Sequence, residues 1–204
     1  MPRPAGESVV RRMTTALAWL RDLLTDLFAW LLRRPLDLPP GHRPLSHSTD
    51  LKQDIWLIAG ANLVTGVALD FMLPAAFRPY HLTLEAVVAI TALGAAAMIA
   101  RNPHLVGDDH LHIRTGPFGH VQVPLNVIRA VTHSTETVDG HGVRRVVPED
   151  DTLACSVGGS TNLLLELDEP ILVPLRKAPP FKTTRIRFAA DDPSAAIRAI
   201  SIDR

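Results

Sequence analysis

The chain has 204 residues, of which 47% are hydrophobic and 5% aromatic, and its formal net charge is zero. That balance excludes bulk electrostatic attraction to nucleic acid, and the shortage of rings leaves little for base stacking. A single cysteine, Cys155, excludes an intramolecular disulfide framework, and a buried strand position is expected for it.

Residues 1–34 carry an amphipathic helical pattern. Val10, Leu17, Leu24 and Leu31 recur at heptad spacing, Met13, Leu20 and Leu27 fall between them, and Ala16, Leu23 and Trp30 widen the stripe. Arg11, Arg12, Arg21, Asp22 and Asp26 lie off it. Arg21, Asp22 and Asp26 interrupt the apolar run and no small-x-small cleavage site follows, which argues against a signal peptide. Met13-Thr14-Thr15 after the Arg pair argues against a twin-arginine signal. Each internal charge would cost roughly 2.5–3.5 kcal/mol near a bilayer centre, which disfavours a span here. The stripe predicts an interfacial helix, with Trp19, Phe28 and Trp30 at headgroup level and the arginines toward anionic lipid. Pairing with a partner helix or with the chain's own spans is the alternative. Residues 35–53 follow as a linker in which Pro35, Pro39, Pro40 and Pro44 prevent a continuous helix.

Residues 54–101 read as a transmembrane hairpin. Two apolar stretches, 55–73 and 82–100, are each about 19 residues, roughly 28 Å as helix, and match a hydrocarbon core of about 30 Å. A Pro-bounded connector, 74–81, separates them. Arg33, Arg34, Arg43 and Lys52 precede the first stretch, Arg101 and Arg114 follow the second, and the connector has only Arg78. The positive-inside rule predicts both termini in the cytoplasm of a plasma-membrane protein. Asp70 and Glu85 flank the connector at similar depth. They read either as a paired carboxylate site for a proton or cation, or as interfacial acids hydrated or paired with Arg78 and His81. Asn62 and Gly66 read as packing positions between helices.

From Asp108 the apolar period becomes two. Leu111 and Ile113 alternate with His110, His112 and Arg114; Val121 and Val123 alternate with His120 and Gln122. One shared apolar face requires an odd loop, and Pro117-Phe118-Gly119 supplies it, with Pro117 first in a type I turn and Gly119 in the left-handed bulge position. That register sets Ile113 opposite Val123 and Thr115 opposite Val121. Further strands are expected at 128–133, 152–156, 162–167, 171–175 and 184–188, with a mobile polar loop at 136–151. Asp192 then caps a final helix with Pro193 in its first turn and Ala196, Ile197 and Ile200 on its apolar face.

The run Asp109-His110-Leu111-His112-Ile113-Arg114-Thr115-Gly116-Pro117-Phe118-Gly119, then Val121-Gln122-Val123-Pro124 and Ile128, resembles the opening of bacterial pleckstrin-homology-like domains. The match spans about residues 101–131; beyond it only strand order and the final helix agree, and the polar insertion at 136–151 departs from a compact version. The resemblance implies a membrane α-helical hairpin plus a mainly-β PH-like barrel of six or seven antiparallel strands, at 102–204, closed by a C-terminal helix. It implies a non-enzymatic anchor or a protein- or lipid-interaction module, with no catalytic, cofactor-binding or metal residue carried over. The partners expected are membrane lipid and an unidentified membrane or cytoplasmic protein, without nucleic acid, and a homo-oligomer is compatible.

Other constellations read blandly beside that. His104, His110, His112 and His120 with Asp108 and Asp109 are a solvated polar face, a pH-tuned lipid contact or an incomplete metal set, the last implying a metal-dependent membrane enzyme. Gly158-Gly159-Ser160-Thr161 lacks the Lys and helix of a phosphate loop and reads as a hairpin turn. Arg176, Lys177, Lys182, Arg185 and Arg187 read as a solvated basic sheet edge or a patch for anionic lipid. The rival function is a subunit of an oligomeric transport or channel assembly that uses Asp70 and Glu85.

Overall fold

The structure, a computed structural model, describes residues 5–47, 49–147, 149, 151–176 and 178–202, without the side chains of 5–13, 15, 50–52 and 202. The side chains of Val10, Arg11, Arg12, Met13 and Lys52, and all of Pro148 and Lys177, lie outside the described residues. The chain forms two compact units. One holds the N-terminal helix and the chain from Ile55 to Arg101; the other holds Leu36–Asp54 and everything from Asn102 onward.

The first unit is helical. Helix α1 spans Ala5–Leu31, α2 spans Thr49–Met72 and α3 spans Arg78–Ala100. Both α2 and α3 are long and apolar enough to cross a membrane over Gln53–Met72 and Arg78–Ala100. Their apolar side chains lie largely on the surface: Leu57 is 75% exposed, Phe71 81% and Val87 56%. Pro79 fits the first turn of α3, so that helix starts earlier than hydropathy alone indicates and the connector shrinks to residues 73–77. Helix α1 packs against α3. Leu23 and Leu27 are buried, and Leu23 sits so close that a Cβ on Gly94 would lie 2.2 Å from its Cδ2. Asp26 reaches Arg101 at 3.6 Å, and the Arg101 guanidinium donates to the Arg34 carbonyl at 2.9 Å. Part of the α1 stripe, Leu23 and Leu27, thus packs in the helical unit, while Leu17, Leu20 and Leu31 of the same stripe stay exposed.

The second unit is mainly β. Strands β1 (Arg43–Leu45), β2 (His104–Val106), β3 (His110–Arg114) and β4 (His120–Pro124) form one antiparallel sheet in that order. Strands β5 (Ile128–Thr137), β6 (Gly142–Arg145), β7 (Thr152–Ser156), β8 (Ser160–Val173) and β9 (Phe181–Phe188) form the other, in the order β5-β8-β9-β7-β6. Helix α4, Pro193–Ile202, closes the unit, and the Asp192 carboxylate accepts from the Ala195 N–H at 2.8 Å as the sequence predicts. The inner faces of both sheets and α4 share one core, from Val106, Ile113 and Val123 through Leu165, Ile186 and Phe188 to Ala196 and Ile200. Residues 138–141 join β5 to β6, which lie on opposite edges of their sheet. A flat five-strand sheet would separate those edges by about 19 Å, more than the roughly 17–18 Å that a fully extended connection of that length can span. With Gly140 in a left-handed turn the connection is not extended, so the sheet curls and its edges approach.

Several expectations are corrected. The hairpin register is Leu111 with Val123 and Ile113 with Val121, two residues from the predicted one. The loop is Thr115–Gly119, still odd, so the buried face is preserved. The Phe118 N–H donates to the Thr115 carbonyl, which makes Gly116, at φ 57°, the first turn residue and moves Pro117 to second. Thr115 gains no cross-strand partner; its N–H and hydroxyl both donate to the Gly119 carbonyl at 2.9 and 2.8 Å. The predicted linker supplies strand β1. The predicted mobile loop contains the end of β5 and all of β6. The segments 162–167 and 171–175 are one bent strand, β8, with an irregularity between Glu166 and Ile171 in its pairing to β9. Strands β7 and β9 run parallel, so the ladder is not wholly antiparallel. The Gly158-Gly159 turn consequently connects β7 and β8 across β9 rather than forming a hairpin of paired neighbours.

Candidate functional site

The connector end of the α2–α3 pair assembles a polar cluster from Asp70, His81 and Glu85. Asp70 lies in the last turns of α2, and His81 and Glu85 lie one turn apart on α3. The His81 imidazole stands between the two carboxylates, Nδ1 at 3.5 Å from Asp70 and Nε2 at 3.6 Å from Glu85. Its side chain is 11% exposed, against 26% for Asp70 and 36% for Glu85. A cavity of about 190 Å³ opens beside them, lined also by Asn62, Gly66 and Phe71. Gly66 faces the site closely, and a Cβ there would come within 3.1 Å of the Glu85 carboxyl carbon and press that side chain aside. Arg78 takes no part; its Nε donates to the Leu73 carbonyl at 3.2 Å. The sequence named both acids and offered Arg78 and His81 as partners. The structure selects His81, whose i, i+4 relation to Glu85 was the legible signal. The trio is a carboxylate–imidazole–carboxylate arrangement in which Asp70 Oδ1 and His81 Nδ1 are buried without a hydrogen-bond partner among the described residues.

The histidines of the β unit divide into two groups. His110, His112 and His120 share the outer face of the β3–β4 hairpin, as expected. His42, from the segment before β1, joins them with its ring 5.7 Å from His112, and His110 lies 6.3 Å from His112. Partial burial holds the His112 pKa below the ordinary imidazole range, and Arg114, His42, His110 and His120 lower it further. Among the described residues, no group of three His, Cys, Asp or Glu side chains has the geometry to hold a metal ion.

His104 does not belong to that face. It is fully buried, its Nδ1 accepts from the Arg114 N–H at 2.9 Å and its Nε2 donates to the Ala189 carbonyl at 2.9 Å. The His47 ring stacks on it at 4.0 Å and the Phe188 ring meets it edge-on at 5.6 Å. Burial drives its pKa well below the usual value, with His47 acting the same way, so this imidazole is a neutral core bracket rather than a ligand. Nearby, Asp191 accepts from the Thr49 N–H at 2.9 Å and from the Ser46 hydroxyl.

The remaining candidates resolve into structure. Cys155 is buried in β7 and its thiol is pushed up to about 12 by desolvation, which leaves it unreactive at neutral pH. The expected basic edge is not an edge, since β9 lies between β8 and β7. Arg185 pairs with Asp151 at 2.5 Å, and buried Arg187 pairs with Glu136 at 3.0 Å and Glu149 at 3.3 Å. The Arg185 and Thr184 hydrogen bonds hold the Asp151 carboxyl down at about 2. Compared with known proteins, the chain matches no family model, no curated protein and no solved structure.

Proposed function

We propose that the chain is an integral membrane protein in which α2 and α3 form a transmembrane hairpin and the β unit is a cytoplasmic, PH-like, non-enzymatic anchor or interaction module at the plasma membrane. One observation carries this reading. β1 precedes α2 and β2 follows α3, yet the two strands are hydrogen-bonded partners, Arg43 with Val106 and Leu45 with His104. Two strands of one ladder lie on one side of any bilayer, so an intervening pair of spanning helices must go out and return. The Lys/Arg excess flanking that ladder supports the cytoplasmic side, and the resemblance over residues 101–131 supports the PH-like assignment. Partners follow from the class: membrane lipid around the hairpin and a membrane or cytoplasmic protein on the β unit.

Single cysteines report the topology in intact cells. Wild-type background is silent because Cys155 is buried. A membrane-impermeant maleimide is expected to label Ala76→Cys from outside, and Ser48→Cys and Asp139→Cys only after permeabilisation. Labelling of Asp139→Cys in intact cells would overturn the reading. The transport reading keeps one supporting observation, the His81 imidazole between Asp70 and Glu85. In proteoliposomes it expects proton or cation flux that Asp70→Asn with Glu85→Gln abolishes, whereas the anchor reading expects no flux from either protein.

A further inference from the structure

The β unit has a cavity of about 410 Å³ between the turn of the β3–β4 hairpin, the edge strand β6 and the loop that links β8 to β9. That volume is within the ~300–1,000 Å³ of small-ligand sites. Its walls are apolar: Phe118, 40% exposed, Val143, Leu175 and Ala178. Its polar groups are Arg144, Arg145, Arg176 and His141, with no carboxylate in the lining among the described residues. The contrast with the rest of the unit is informative. Arg129, Arg185 and Arg187 each have an acid at 2.5–3.0 Å. Among the described residues the three cavity arginines have no acid in ion-pair contact.

Two of them are nevertheless held in place. The Arg144 guanidinium donates to the Gly142 carbonyl at 3.1 Å, to the Val138 carbonyl at 3.2 Å and to the Ser156 hydroxyl at 3.2 Å. Arg145 rests over the Phe181 ring, 4.3 Å from its centroid. His141 donates from Nδ1 to the Val157 carbonyl at 2.6 Å and stacks on Phe118 at 5.9 Å. Positive charge at the rim of an apolar hollow, with Asp139 acting on Arg144 from a distance but no described carboxylate in ion-pair contact with any of the three arginines, suits an anion attached to an apolar body. A fully hydrated anion would waste the apolar wall, and a neutral apolar molecule would leave the guanidinium groups desolvated.

We propose that this cavity binds a small anionic amphiphile, a carboxylate on a medium-length acyl chain. The carboxylate meets Arg145 and Arg176, and the chain lies against Phe118, Val143 and Leu175. The charge-assisted hydrogen bonds fix orientation and the apolar wall supplies affinity.

The test uses the full chain in lipid nanodiscs with labelled Val and Leu methyl groups, titrated with sodium octanoate. Octanoate is expected to shift the Val143 and Leu175 methyl signals saturably, while octylamine and octanol do not. Arg176→Gln, at an exposed position where folding is not at stake, should weaken octanoate binding at least tenfold. Ala178→Trp, which fills the cavity, should abolish it with the other methyl signals unchanged. Equal saturable shifts from octanol or octylamine, a non-saturating drift matching partition into empty nanodiscs, or wild-type titration by both variants would overturn the proposal.

Discussion

His104 shows what a single residue can hide. It was legible as one histidine among several near the end of the second apolar stretch, and nothing in the local pattern separated it from His110 or His112. Its burial depends on the segment that follows β1, from before the two apolar helices, where His47 stacks on it. That placement has a pH signature. The unfolded chain protonates an imidazole near 6.5, whereas the folded pKa lies well below that value. Stability is therefore full above that pH and falls as pH drops below it, by at most about 1.4 kcal/mol per pH unit. The groups facing His104 are His47 and Arg114, which oppose its protonation, and Asp191, which favours it. Urea midpoints of the full chain in detergent, taken from about pH 8 to about pH 5, should decline below about pH 6.5, and His104→Gln should flatten that decline whatever its own cost. A flat wild-type profile would mean that the folded chain takes up protons as readily as the unfolded one, against the lowered pKa of His104. Gly119 gives a second test at this scale. Its φ of 129° is open to glycine, and a Cβ would also press on Val143 at 3.3 Å. Gly119→Val should lower stability by about 1–3 kcal/mol. Gly158→Ala, with nothing within 4 Å of the added carbon, is the matched control and should leave the melting temperature unchanged.

At the scale of elements, legibility follows local periodicity. Strands β3, β4, β7 and β9 and helix α4 alternate or cap cleanly, and the chain shows them to a reader of the sequence alone. Strands β1, β2 and β6 are three or four residues long, too short for a period to register, and β1 is interrupted by Pro44. Pro44 is tolerated because β1 is an edge strand. The placement of Arg185 and Arg187 was misread for a related reason: alternation reveals which residues share a face, not whether a strand is central. The α1 stripe was legible, but its partner was not, since lipid and an apolar helix satisfy the same pattern. The contact between Leu23 and Gly94 gives part of the stripe a partner within the chain. Gly94→Leu must push Leu23 away, because even a Cβ would stand 2.2 Å from its side chain. In that background a Leu27→Cys probe, buried in the wild-type helix pair, should become reactive to maleimide. An unreactive probe would show that α1 finds its cover elsewhere.

For the whole molecule, the division at residue 102 suggested by the sequence leaves out part of the β unit. Leu45 belongs to the shared core, and Leu105 and Val106 are almost fully buried. A fragment of residues 108–204, which the strand pattern alone predicts to fold, lacks all three and also loses the His104 bracket. Large buried aliphatic side chains contribute about 2–5 kcal/mol each, enough to unfold a domain of ordinary stability. Residues 36–47 joined to 102–204 by a flexible Gly/Ser linker should unfold cooperatively on heating, while 108–204 should not. Equal cooperativity in both would remove β1 and β2 from the folding unit.

The ladder between β1 and β2 also orders events in time. During synthesis β1 is made first and then waits, unpaired, while roughly sixty more residues emerge before β2 can close the loop. Closure needs both strands in the same compartment. If α2 and α3 cross a bilayer as proposed, a chain whose second apolar helix failed to insert would strand β1 and β2 on opposite faces, with the core lacking Leu45 and His104 lacking its stacked ring. On the proposed topology, completion of the β fold is thus conditional on a finished return crossing, because β1 and β2 pair only when both lie on one side.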